Sequence, residues 1–328
     1  MKKRYQNAFF VIGLAVLAIM VAQLDFADTW QHLQQAGYWF VAVVALWGVL
    51  YLFNTFSWYI IIHNGMPAKP LVGFWWLYKI TISGFALNYA TPGGLMGGEP
   101  YRVMAIRPYV GTEQASSSVI LFAMTHIFSH FWFWMLSVVL FLLTQPLNTG
   151  NCLLMACITI FCLLGIWFFI TGYKKGLAVR VLSVLGHIPG IRGWIRRFVD
   201  KHHSQLDKID QQIAALHGQN PRTYIGAILS ELTCRILSSL EIYFILRVIS
   251  PHVNFLDCIL ILAFTSWVAN LLFFLPLQLG GREGGFLMSI KGLGMTTGAG
   301  IFVALLVRLR ELIWTAIGLF LIKLEKKE

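Results

Sequence analysis

Charge is what this sequence has least of. Asp, Glu, Lys and Arg make up 12% of its 328 residues, about half the share of a soluble domain, while 58% are hydrophobic. Water is thereby excluded as the main solvent. Also lacking is any polar stretch that could build a separate soluble core. The longest, residues 172–222, reads as a basic amphipathic connector with Trp194, Ile195 and Phe198 set among Arg192, Arg196 and Arg197, and is expected to lie on the cytoplasmic membrane surface. Cysteines are few. Cys152, Cys157 and Cys162 share one apolar segment and Cys234 and Cys258 sit in others, a use that fits apolar packing and excludes a redox argument. No Gly-x-x-x-x-Gly-Lys-Ser/Thr loop is present, so ATP is not expected as an energy source. Ser-His and Cys-His arrangements and di-acidic metal motifs at useful spacing are missing too, which argues against an enzyme. Neither a catalytic residue, a cofactor nor a metal is expected.

What is present is a series of apolar runs near the ~20 residues needed to span hydrocarbon. They cover residues 9–24, 38–62, 71–88, 116–143, 152–171, 224–249, 257–275 and 301–322. The first follows Met1-Lys2-Lys3-Arg4 and resembles a signal peptide, but Gln23-Leu24-Asp25 offers no clean small-x-small site, so it is expected to remain as an anchor. Lys and Arg gather at the N-terminus, around Lys69, at Arg102 and Arg107, between Lys174 and Arg222, and after Lys323. The connections 25–37, 144–151 and 250–254 contain none. The positive-inside rule then puts both termini in the cytoplasm and predicts an even number of crossings of the cytoplasmic membrane. Trp30, Trp39, Trp75 and Trp76 lie at run ends, where interfacial anchoring explains them.

Two segments do not read as simple spans. Residues 88–102 place Pro92, Pro100, Gly93, Gly94, Gly97 and Gly98 in mid-membrane context, ahead of Glu99 and Arg102, and residues 270–285 repeat the theme with Pro276, Gly280, Gly281, Arg282 and Glu283. A continuous helix is improbable through either. Pro92 precedes Glu99 by the same seven positions that separate Pro276 from Glu283. If each break is the tip of a re-entrant hairpin, the charge constraints are met. The chain is then one all-α integral membrane domain, 1–328, with about six full spans and two broken-helix hairpins. Its halves, 9–143 and 152–322, form an inverted repeat. The alternative is eight full spans with two kinked helices.

Backbone amides freed at such breaks must be buried in protein or line a watery cavity. The helices that restart at Glu99-Pro100 and at Glu283 would aim free amides and positive dipole ends at an anion such as phosphate. Asn88 leads into the first break. Glu99 and Glu283 read either as helix caps or as holders of a proton or a cationic head group. Charges inside apolar runs are functional candidates by default. Glu231 with Arg235 and Arg308 with Glu311, four and three residues apart, can each close as an ion pair on one helix face. Arg310 points away from the latter pair, and Glu241, Arg247, Lys79 and Arg282 have no obvious neighbour in the sequence. Arg282, Arg308 and Arg102 are the favoured phosphate ligands, because a planar guanidinium matches that group. His126 and His130, one turn apart without an acid on their helix, are read as interhelical hydrogen-bonding groups rather than metal ligands.

The Asn-x-x-x-Pro-Gly-Gly-x-x-Gly-Gly-Glu-Pro-x-Arg stretch at 88–102, the Pro-x-x-x-Gly-Gly-x-Glu stretch at 276–283 and the arginine-bearing last run resemble the flippase-like transmembrane region of lysylphosphatidylglycerol synthases over residues 9–322. The resemblance implies flipping of an aminoacylated phosphatidylglycerol. Similar stand-alone proteins associated with glycosyltransferases or isoprenoid lipids leave the cargo open to a polyprenyl-linked head group. The chain ends at Glu328 without a soluble domain, so the synthase activity is not expected. Translocation of an anionic or aminoacylated lipid by alternating access is the leading expectation. A membrane-embedded lipid-modifying transferase, for which Asp25 and Asp28 in the first outer loop are the best support, and an accessory subunit of a lipid-modifying partner enzyme are the alternatives. The net charge of +11 favours anionic lipid at the cytoplasmic surface; no nucleic-acid partner is expected.

Overall fold

The computed structural model of the chain describes residues 26–64, 72–89, 97–175, 221–272 and 280–324, with residues 11, 207, 210 and 211 besides. All of the anchor run 9–24 but Val11, most of the 172–222 connector, Pro92, Gly93, Gly94 and Pro276 lie outside the described residues. Ten helices make up the described chain: α1 (Phe26–Ala36), α2 (Tyr38–Ile62), α3 (Phe74–Tyr89), α4 (Gly98–Val110), α5 (Thr112–Thr144), α6 (Thr149–Lys175), α7 (Pro221–Ile249), α8 (Phe255–Leu271), α9 (Gly281–Gly292) and α10 (Thr297–Leu324). Helix is the state in which such apolar segments satisfy their own backbone groups in hydrocarbon.

Three of these, Tyr38–Ile62, Thr112–Thr144 and Thr149–Thr171, are long and apolar enough to cross a membrane. α7 and α10 reach 29 and 28 residues but carry Glu231, Arg235, Glu241 and Arg247, and Arg308, Arg310 and Glu311. The helices on either side of the two breaks are short, with 16 and 13 residues in α3 and α4 and 17 and 12 in α8 and α9. At about 1.5 Å per residue, none covers the ~30 Å of hydrocarbon. α3 stops where the sequence runs Ala90-Thr91-Pro92-Gly93, and α4 starts with Pro100 in its first turn, where a missing N–H costs nothing. Gly111 separates α4 from α5 at φ 84°, a conformation that a side chain would strain.

The helix pairings repeat between the halves. α2 packs on α3 and α5, α3 on α4 and α4 on α5; their counterparts pair likewise, α7 on α8 and α10, α8 on α9 and α9 on α10. Across the halves α2 meets α7, and the α3–α10 contact is matched by α8–α5, as α7–α5 is by α2–α10. One apolar cluster joins α2 through α5 around Trp58, Leu77, Tyr101, Ile106 and Phe122. A second gathers Val43, Ile242, Phe286, Ile290, Val303 and Leu306 from α2, α7, α9 and α10. Outward-facing Leu153, Leu163, Leu164 and Trp167 on α6 are exposed, as expected of a face in contact with lipid.

α3 and α10 approach closely through small residues, a common means of helix association in membranes. Ser83 Oγ donates to the Gly318 carbonyl at 3.1 Å, and a Cβ added at Gly318 would sit 2.9 Å from the Ile82 carbonyl oxygen and against the Ala86 methyl. Two backbones must separate to admit it. Gly318→Ala is therefore expected to cost about 1–3 kcal/mol, measured as a lower unfolding temperature in detergent; an unchanged midpoint would contradict this close packing.

Candidate functional site

Those of the predicted residues that are described fall into two clusters on opposite sides of an aromatic seam. The first surrounds the α3–α4 break. Gly98 N–H donates to Asn88 Oδ1 at 2.8 Å, Asn88 Nδ2 donates to Glu99 Oε1 at 3.0 Å, and Arg102 Nη1 donates to the same Glu99 oxygen at 3.0 Å. Thus Asn88 at the end of α3 holds both the first amide and the first acid of α4. Gly97 is the residue that precedes this helix. Arg102 is fully buried and lies 4.6 Å over the Phe85 ring. In this arrangement Arg102 is a lock on the break rather than an open cation.

Glu231 joins the same region from α7, and here the expected intrahelical pair with Arg235 is corrected. Glu231 Oε2 accepts from Asn54 Nδ2 of α2 at 3.0 Å and from His126 Nδ1 of α5 at 2.8 Å. Arg235 instead donates to Ser129 Oγ and to the His126 carbonyl, both at 2.6 Å. Interhelical partners win because the two side chains are flanked by polar groups of α2 and α5 that would otherwise be buried unpaired. His126 meets the expectation of an interhelical hydrogen bond.

The second cluster lies at the start of α9. Gly280, at φ 79°, precedes the helix, and its N–H donates to Glu283 Oε2 at 2.9 Å, so Glu283 is a cap, one of its two expected roles. The other oxygen of Glu283 pairs with Arg308 of α10 at 2.9 Å. Arg282 pairs with Glu311. The expected Arg308–Glu311 pair is thus corrected as well: each residue takes the oppositely charged neighbour that the buried start of α9, at Gly281, brings to α10. Arg310 makes a two-pronged contact with Glu241 of α7, at 2.7 and 2.9 Å. The indole N–H of Trp47 donates to Glu241 at 3.0 Å, and the Trp47 ring lies 3.8 Å from the Arg310 guanidinium. Tyr89, the last residue of α3, interacts with Arg282, Arg310 and Glu311, which brings the first break to the second.

Exposure sorts these ion pairs. Arg310 and Glu241 are sealed, at 1% and 2%. Arg282 and Glu311 are at 22% and 9%, and Arg308 and Glu283 at 19% and 33%. The partly open pairs are therefore the two at the α9 start. Between the clusters runs the seam: Tyr51 stands 5.7 Å from Trp47 and 5.5 Å from Phe85, and Phe85 stands 5.6 Å from His126.

A family model described as the lysylphosphatidylglycerol synthase TM region matches residues 8–318. The chain belongs to that family. No curated protein and no solved structure matches it. Membership, with the apolar helices, makes this lysylphosphatidylglycerol synthase TM-region protein a membrane protein tied to lipid metabolism. Several residues of the two interrupted stretches, Asn88, Gly98, Glu99 and Arg102 in one cluster and Gly280 and Glu283 in the other, hold the helix restarts. Asn54, Trp47, Tyr51 and Tyr89 were not singled out from the sequence. Asn54 had a legible signal, a lone carboxamide within the 25-residue apolar helix α2, where an unpaired amide is costly.

Proposed function

We propose that this protein moves a lipid with an anionic head group, a phosphatidylglycerol derivative or a polyprenyl-linked phosphate, across the cytoplasmic membrane, with Arg282 and Arg308 as the head-group ligands. The observation that carries this reading is that both carboxylates on these arginines have a second partner waiting. Glu283 is already held by the Gly280 amide. Glu311 also lies 3.9 Å from Arg310 Nη1, a buried group with no hydrogen-bond partner. A phosphate can therefore replace each carboxylate on its arginine without leaving a carboxylate unpaired, which would otherwise cost several kcal/mol. The start of α9 adds a positive dipole end.

The short helices α3, α4, α8 and α9 and the matched pairings of the two halves support re-entrant hairpins in an inverted repeat; with the apolar run 9–24 this makes about six full spans, and the distribution of Lys and Arg favours both termini in the cytoplasm. Acyl chains stay in the bilayer while rocking of the halves opens the arginines to each leaflet in turn. The reading assigns no bond-making step to the chain. In proteoliposomes carrying fluorescent lipids, with a dithionite quench of the outer leaflet, purified protein is expected to accelerate loss of protection for anionic or aminoacylated head groups over zwitterionic ones. Folded protein that moves none of them would refute the assignment.

A further inference from the structure

Among the described residues, charge inside the bundle balances without any substrate, five arginines against five glutamates. Arg102 is matched by Glu99, Arg235 by Glu231, and the three arginines 282, 308 and 310 by Glu241, Glu283 and Glu311. A head group that carries a negative charge into this neutral interior leaves an uncompensated anion at low dielectric, which is costly. A cation taken up with it removes that cost. Among the described residues two carboxylates keep a buried oxygen without a hydrogen-bond partner, Glu99 and Glu231, and of these two Glu231 is the one bonded to a histidine. Glu231 is fully buried; its Oε2 faces Asn54 and His126, and its Oε1 has no hydrogen-bond partner. With the His126 Nδ1–H donating to the Glu231 carboxylate, one further proton taken at Nε2 makes an imidazolium beside a carboxylate, and in that loaded pair the bridging hydrogen can be carried by either residue. His130, one turn further along α5, stands edge-on to His126 with ring centroids 5.8 Å apart and keeps a buried, unpartnered Nδ1, a further proton acceptor beside the pair.

Resting on the transport reading above, we infer that Glu231 and His126 form a proton-binding site, loaded when the anionic head group enters and emptied when it leaves. The proton comes from water and returns to water; no bond other than N–H or O–H changes. Communication with the first break runs through Phe85, which touches both the His126 ring and the Arg102 guanidinium. The titratable and charged groups around the pair are Arg235 and Cys234 on α7, Arg102 on α4 and His130 on α5, with the neutral Asn54 on α2. On the other helices packed against α7, Arg310 of α10 is turned to Glu241 and Asp257 of α8 to Gln145, and His32 of α1 lies against the Phe302 ring, 5.4 Å between centroids. Binding energy shared between proton and anion is reciprocal: each must tighten the other by the same factor.

The test is lipid movement in proteoliposomes with and without an imposed pH difference, between about pH 5 and pH 8, the window of histidine titration. An entrapped pH dye reports proton movement. The wild-type rate is expected to change several-fold with the gradient and to be accompanied by lipid-dependent proton flux. In Glu231→Gln the ratio of rates with and without the gradient falls to one and the flux disappears, whatever residual rate remains. His126→Gln repeats the test should Glu231→Gln fail to fold. A wild-type rate indifferent to the gradient, or a full gradient response in both variants, overturns the proton site while lipid movement stands. No movement of any lipid by folded protein overturns the transport reading and the coupling together.

Discussion

Replacing Arg310 with methionine is expected to destabilise the protein by about 3–5 kcal/mol, because it strands a buried carboxylate. Glu241 has two guanidinium contacts and one indole N–H as its partners; the substitution removes the first two. Glu241→Leu should be as damaging for the converse reason, since it takes away both short carboxylate contacts of Arg310 and leaves Glu311 at 3.9 Å as its acid. The unfolding midpoint in detergent should fall by on the order of 10 °C in each. The double variant Arg310→Met with Glu241→Leu is expected to recover most of the loss, because removing both charges also removes the desolvation penalty. A double variant no more stable than either single one would mean that the pair has a structural role beyond mutual neutralisation.

Arg282→Ala and Arg308→Ala should behave in the opposite way, with the fold kept and transport lost. Each removes one charge-assisted contact to the anion, a loss of about 1.5–3 kcal/mol, or about 10- to 150-fold in rate at limiting lipid. Glu283 retains the Gly280 amide and Glu311 retains Arg310, so neither acid is stranded. Lysine at either position keeps the charge but not the planar fork, and an intermediate rate is expected. The readout is head-group-selective translocation set against the detergent unfolding midpoint. Normal transport in both alanine variants would remove these arginines from the head-group site.

The sequence by itself determined the membrane class, the family and the two interrupted segments. These depend on local properties: apolar run length, charge scarcity, and prolines and glycines that no continuous helix accommodates. Its pairing of Glu231 with Arg235 and of Arg308 with Glu311 followed the one-turn spacing rule, and that rule considers only one helix. Tertiary structure decided otherwise. α7 carries Glu231 towards α2 and α5, and Glu241 towards α2 and α10, so partners more than 60 positions away in the chain displace those four away. Burial sets the outcome, because in a low-dielectric interior every donor and acceptor must be met by whichever group packing brings within about 3 Å. Which arginines are sealed and which stay partly open, and that Tyr89 from one break reaches Arg282 at the other, are properties of how α3, α9 and α10 converge, and no window along the chain contains them.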